Sequence, residues 1–202
     1  MRPVKDTRSA LLSAPPTADA LRTALASAFA SADFSPFQPI ALPIDRTGAT
    51  YEHRFVSPDS SLAVGDASSR DGRNAFTLMM FPVLDLNLPY LVVARKGDVD
   101  ISTVTNGQLL QFESIDFDDR FAVRANDRRS AVMLIDQGMM QWLLDCDHVN
   151  FQAWGGLVFA FVRRRPPPSS APVELELLFR FHDGFASHVP EIVHSEFRSP
   201  RP

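Results

Sequence analysis

Sulfur chemistry is almost absent from this chain. Cys146 is its one cysteine, which excludes an intrachain disulfide and any paired-cysteine metal or redox site. A reducing, cytoplasmic setting is the expectation. Long apolar runs are missing as well. None nears the roughly 18 residues that a spanning helix needs, and the stretch from Ala10 to Ala14, behind Arg2, Lys5 and Arg8, is too brief for a secretory leader. Charge of one sign is lacking: 20 basic against 24 acidic residues leave a net charge of −4. That balance gives no long-range pull on nucleic acid or an anionic membrane, so nucleic acid is not an expected partner. The sharp motifs are missing too, with no GxSxG elbow, HExxH, P-loop or GxGxxG. Their absence removes the best-marked catalytic routes, and no cofactor is expected.

What is present fits one folded domain. A chain of 202 residues, 45% hydrophobic and 22% charged, buries roughly 70% of its unfolded surface and needs no staples. No central stretch resembles a linker. The expected division is a flexible start over 1–17, a single globular domain over 18–197 and a flexible end over 198–202. Phenylalanine occurs 16 times against 2 Trp and 2 Tyr. Rings without a polar edge suit a dry core.

Along the chain, Thr17 or Asp19 can cap a helix running to about Ala32, with Leu21, Leu25, Phe29 and Ala32 as a narrow apolar stripe. Pro36, Pro39 and Pro43 close it, and β structure follows. Tyr51–Val56 and Ser61–Gly65 are short strands around the turn Ser57–Ser60. Ala75–Val83 and Tyr90–Arg95 read as buried strands, and Lys96-Gly97-Asp98 as a turn. Asn106-Gly107 is the strongest hairpin signal, because both positions tolerate positive φ. It predicts pairing of Ile101–Thr105 with Gln108–Glu113. Strands at Asn150–Trp154 and Leu157–Arg163 are joined by Gly155-Gly156, and Arg163-Arg164-Arg165 with Pro166 to Pro168 reads as a solvated loop. The tail is ambiguous. Val173, Leu175, Leu177, Phe179 and Phe181 alternate like a strand, whereas Leu175, Leu178, His182, Phe185 and Val189 fit a helix stopped near Pro190.

The stretch Phe112–Leu144 is the most informative. A regular strand would place Ile115, Phe117, Phe121 and Val123 on one face together with Asp119. A carboxylate between phenylalanines costs several kcal/mol unless paired, so a bulge or single helical turn at Phe117–Arg120 is expected to turn Asp119 outward. Asn126 or Asp127 then caps a helix to about Leu144, burying Val132, Ile135, Met139 and Trp142 or Leu143. Gly138 inside it implies close backbone packing.

These residues also carry a resemblance. Leu88-Pro89, Phe112-Glu113-Ser114, Phe117-Asp118, Phe121, Val123, Asp127, Ala131, Leu134, Met139-Met140, Trp142-Leu143-Leu144 and a closing Val189-Pro190 resemble a family of uncharacterised actinobacterial proteins, a domain of unknown function. The resemblance spans about half the chain. It implies an antiparallel β domain with a packed helix and tips the tail towards helix. Family members often begin with a membrane-spanning segment, which this sequence does not show, and Asp119 stands where a basic residue is expected. The family offers no catalytic residues to transfer.

Four constellations are candidates for chemistry. His182, His188 and His194 recur every six residues, which on a helix turns each about 120° from the last and spoils a shared metal face. Asp145, Asp147 and His148 surround Cys146 at a helix exit, the end whose dipole disfavours a thiolate, so His148 reads as a cation complementing that end. Asp116, Asp118 and Asp119 sit beside Arg120 and Arg124, which favours solvated ion pairs over an acid/base pair. Arg163, Arg164 and Arg165 lack interleaved aromatics for nucleic acid. Phe76, Phe81, Phe117, Phe121, Phe151, Phe159, Phe161, Phe179 and Phe185 fill a core or line an apolar pocket.

The resulting expectation is one α+β domain: a mainly antiparallel sheet with a helix over about 127–144 and a C-terminal helix packed on it. No catalytic and no metal residues are assigned, and the ligand-binding residues are unknown. The expected role is a non-catalytic interaction or ligand-binding module, its partner an unknown protein or a small apolar ligand. The alternative is a hydrolase using Asp118 or Asp119 with a histidine brought near by folding.

Overall fold

The computed structural model describes residues 50–56, 62–68, 75–83, 86–98, 107–146, 148–164 and 171–198. Eight strands are β1 (Thr50–Val56), β2 (Ala63–Ser68), β3 (Ala75–Pro82), β4 (Leu88–Arg95), β5 (Gln108–Leu110), β6 (Phe121–Ala125), β7 (Asn150–Gly155) and β8 (Leu157–Arg163). Five helices among the described residues are α1 (Ile115–Arg120), α2 (Arg128–Leu134), α3 (Gln137–Cys146), α4 (Ala171–His188) and α5 (Glu191–Glu196). The strands form one sheet in the order β1-β2-β3-β8-β7-β4-β6-β5, and every pairing is antiparallel. The fold is α+β. The β7–β8 hairpin is inserted between β3 and β4, although those two strands are neighbours in sequence.

Strand period places alternate residues on opposite faces. On one face, Met79, Phe81, Leu91, Val93, Phe151, Ala153 and Ala160 are buried against Phe117, Leu134, Met139, Leu143, Leu178, Phe181 and Phe185 from the helices. Phe181 packs at 5.1 Å on Trp142 and 5.3 Å on Phe151, and Phe185 lies 5.6 Å from Phe151. Ring pairs at these separations add to the burial term. No described helix is long and apolar enough to cross a membrane.

The helical turn expected at the corner is present, and it explains its own sequence. Ser114 Oγ accepts from Phe117 N at 3.3 Å and caps α1. Phe117 is fully buried, stacked at 5.1 Å on Phe121, while Asp119 is exposed. Ile115, expected on the buried face, is 77% exposed because the turn rotates it outward.

The helix expected over about 127–144 is broken in two. Asp127 caps α2 by accepting from Arg129 N and Ser130 N. The Ser130 hydroxyl and backbone hold its carboxyl below the ordinary aspartate range. Ile135 then leaves helical geometry at φ −96°, ψ 65°, and Asp136 Oδ1 accepts from Met139 N at 2.8 Å to start α3. A second N-cap inside the run ends one helix and restarts another. The kink leaves Val132, expected in the stripe, 45% exposed while Ile135 is buried. Gly138 is exposed and its missing Cβ would meet only the Asp136 side chain, at 3.4 Å. The close-packing glycine is Gly184 on α4, where a Cβ would fall 2.9 Å from Trp142 Cζ2.

The tail is helical, in α4 and α5, with Pro190 as the N-cap of α5. Gly97 and Gly155 take the positive φ their turns require, 90° and 59°. The hairpin expected at Asn106-Gly107 falls within the described residues only from Gly107 onward. There β5 pairs with β6, and the expected partner over 101–106 lies outside the described residues. So do the expected N-terminal helix, the turns at 57–60 and 70–74, and the loop at 165–170.

Candidate functional site

The opposite face of the sheet differs in composition and in satisfaction. Among the described residues its buried cluster comes from strands: Phe76, Leu78, Tyr90, Val92, Ala94 and Phe161, with Ala122, Trp154 and Phe159 packed against them. Register explains why they meet. Val92 is opposite Arg124 on β6 and Gln152 on β7, Gln152 is opposite Phe159 on β8, and Phe159 is opposite Met80 on β3. One cross-sheet row therefore runs Arg124, Val92, Gln152, Phe159, Met80. Phe161 and Leu78 lie opposite each other in the next row, and Phe76 meets Phe161 edge-on at 5.9 Å. Tyr90 belongs to the same buried cluster, at a point where the β4–β7 register is irregular, between Leu88 and Leu91.

Two of these polar side chains are buried without partners. Gln152 is 1% exposed, yet neither Nε2 nor Oε1 has a hydrogen bond, and Tyr90 Oη, on a residue 5% exposed, has none either. Burial pushes the Tyr90 phenol above its ordinary pKa, opposed by the nearby Arg124 guanidinium. The phenol thus stays a protonated donor at neutral pH. Arg124 Nη2 donates to Gly107 O at 2.9 Å, and Gly107 fits there because a Cβ would fall 2.6 Å from the Ala125 carbonyl. Asn150, on the same strand and face as Gln152, is satisfied: its Oδ1 accepts from Arg95 N at 2.6 Å and its Nδ2 donates to Phe161 O at 3.3 Å. Native folds seldom leave buried amides and hydroxyls unpaired, because each costs about 1–3 kcal/mol. An apolar patch with a few convergent polar groups is the usual make-up of a small-molecule site.

A second polar cluster lies under the start of α4 on the helix-packed face. Thr77, fully buried, has its Oγ1 2.9 Å from Glu174 Oε2 and 3.2 Å from Asp66 Oδ1. Arg164 reaches both carboxylates, with Nε 3.7 Å from Glu174 and Nη1 3.6 Å from Asp66. This cluster is internally paired and fastens α4 to β2, β3 and the end of β8. Arg164, expected in a solvated loop, instead pairs with both carboxylates of this cluster, because strand alternation past Val162 turns it to the helix side. Arg163 Nη1 donates to Gly97 O at 2.9 Å, and Arg165 lies outside the described residues.

The other sequence candidates are not brought together. Asp118 accepts from Phe112 N through both oxygens, at 3.0 and 3.2 Å, which commits it to a local turn. Asp116 and Asp119 are exposed. Among the described residues no histidine is hydrogen-bonded to Asp118 or Asp119. His182 bonds Asp183 at 3.2 Å, His188 stacks on Trp142 at 4.7 Å, and His194 lies on α5. Among the described residues no three His, Cys, Asp or Glu side chains gather as a metal group. Cys146 is half-buried and its thiol is pushed up to about 11, chiefly by burial, which favours the protonated thiol at neutral pH. His148 is not the free cation expected at the helix exit, since its Nδ1 accepts from Arg95 Nη1. Asp147 lies outside the described residues. Of the nine phenylalanines singled out, eight are buried and Phe159 is half-buried. Six fill the helix-side core, Phe76 and Phe161 lie on the opposite face with Phe159, and Phe181, outside the nine, joins the helix-side core.

Comparison with known proteins adds little. No family profile and no curated protein matches the chain. Among solved structures, the crystal structure of the mycobacterial trehalose monomycolate transport factor A, TtfA, aligns with a TM-score of 0.41 at 12% identity, over 74% of this chain and 77% of that one. At that level neither fold assignment nor function transfers.

Proposed function

We propose that this protein is a non-catalytic ligand-binding module that takes a small, largely apolar molecule at the sheet face carrying Gln152 and Tyr90. The observation that carries the reading is the pair of buried, unpartnered polar side chains, Gln152 and Tyr90, set among Phe159, Phe161, Val92 and Trp154. Folding alone gains nothing from them, whereas a ligand would use both. A cytoplasmic setting accompanies the reading, supported by the single cysteine. The hydrolase alternative finds no support in the geometry, because Asp118 serves a turn and Asp119 faces solvent.

The test is native mass spectrometry of protein purified from its own host, followed by titration with Nile red, an uncharged apolar dye. A small molecule released on denaturation, together with saturable dye binding to the stripped protein, is the expected result. A mass equal to the chain alone, combined with no saturable dye binding, would overturn the proposal.

A further inference from the structure

Trp142 lies along α4 in a cradle that the helix period builds. Phe181, Gly184 and His188 recur at i, i+3 and i+7 and so share one face. Gly184 admits the indole close to the helix backbone, and Phe181 stacks on it at 5.1 Å. His188 lies parallel to the indole, at 4.7 Å and an interplanar angle of 11°. Its Nδ1 is 2.8 Å from Gly184 O. A carbonyl only accepts, so Nδ1 carries a hydrogen in both charge states and the ring gains or loses its proton at Nε2. His188 is also the last residue of the 18-residue helix α4, the end that bears the negative pole of the helix dipole.

The charged and titratable groups on the surrounding elements are Asp145 and Cys146 on α3, Arg180, His182 and Asp183 on α4, and Glu191 and His194 on α5. Asp145 accepts from Gln141, and Asp183 bonds His182. Among the described residues none of these groups is hydrogen-bonded or ion-paired to His188. The strands beneath this stretch of α4 bring apolar side chains, Phe81 and Phe151.

We propose that His188 is a proton-operated clasp between α3 and α4, its imidazolium holding the indole and the end of α4 more tightly than the neutral ring does. A cation over an indole face is attracted by its π-electrons, and a cation at a helix C-terminus meets the dipole. Both gains require α3 docked on α4. The stabilisation is therefore complete at acid pH and is lost as pH rises through the histidine range.

The test is thermal unfolding of the full chain and of His188→Gln at about pH 5.5 and about pH 8.5, on either side of that range. Glutamine keeps an N–H donor but takes no charge. The variant should melt about 2–4 °C below the unmutated chain at the acid pH and within about 1 °C of it at the alkaline pH. Tryptophan emission of the unmutated chain should also fall on acidification while its circular dichroism stays constant, because an imidazolium in contact quenches indole. His188→Gln should lose that change, and the measurement on the unmutated chain needs no stable variant. Equal losses at the two pH values, a larger loss at the alkaline one, or emission that ignores pH would each overturn the proposal.

Discussion

The two faces of the sheet treat polar side chains in opposite ways. Under α4, Thr77, Asp66, Glu174 and Arg164 form a set in which each carboxylate meets the arginine and the hydroxyl. On the opposite face, Gln152 and Tyr90 are buried as well, and their polar side-chain atoms have no hydrogen-bond partner. A buried polar network that is complete specifies how elements dock, whereas incomplete groups are retained against stability and point to a role outside folding. Even within one strand the contrast holds. Asn150 spends its amide on β4 and β8 backbone, and Gln152, two residues later on the same face, spends none.

The largest expected effect sharpens the first half of that contrast. Arg164→Ala leaves two buried carboxylates without their shared cation and should destabilise the fold by about 3–5 kcal/mol in urea unfolding. A loss near zero would show the cluster to be ornamental and erase the difference between the faces. Gly184→Val drives a side chain into the Trp142 ring and should cost about 1–3 kcal/mol, with a change in tryptophan emission as α3 moves from α4. Thr77→Val keeps the shape and removes the hydroxyl between the carboxylates, so a loss of about 1–2 kcal/mol is expected by the same measurement. The smallest effect is chemical. Because burial raises the folded Cys146 pKa to about 11, the thiol should alkylate at pH 8 far more slowly in the folded protein than in guanidinium. The sign for stability follows. The folded state holds its proton after the unfolded thiol has lost one, so this contribution is present below the unfolded pKa and fades as pH rises from there towards 11. A thiol that alkylates equally fast in both states would contradict the burial.

Much of the architecture was legible because local chemistry decided it. The charge on Asp119 pointed to the helical turn, Asp127 was a readable cap, and Gly97 and Gly155 marked real turns. The break at Ile135-Asp136 was also written in the sequence, as an aspartate three residues before Met139, but an unbroken apolar stripe masked it. Sheet order was not legible, since nothing local says that β7 and β8 enter between β3 and β4. The polar cluster under α4 joins residues 97 positions apart. Its one sequence signal is Glu174 lying on the apolar stripe with Leu178, Phe181 and Phe185 at helical spacing. Gln152 was hidden for a different reason. Alternating with Phe151 and Ala153, it reads as the solvent side of a strand, yet in the structure it is buried.

The central claim is that Gln152 is kept for a ligand and not for the fold. Its most direct test is the urea unfolding of Gln152→Leu against Asn150→Leu, both without added ligand. Removing an unpaired amide should raise stability by about 1 kcal/mol, or about 2–4 °C in Tm, whereas Asn150→Leu strips two backbone partners and should lower it by about 1–3 kcal/mol. Destabilisation of the two variants by equal amounts would contradict the account, because it would make Gln152 as structural as its neighbour.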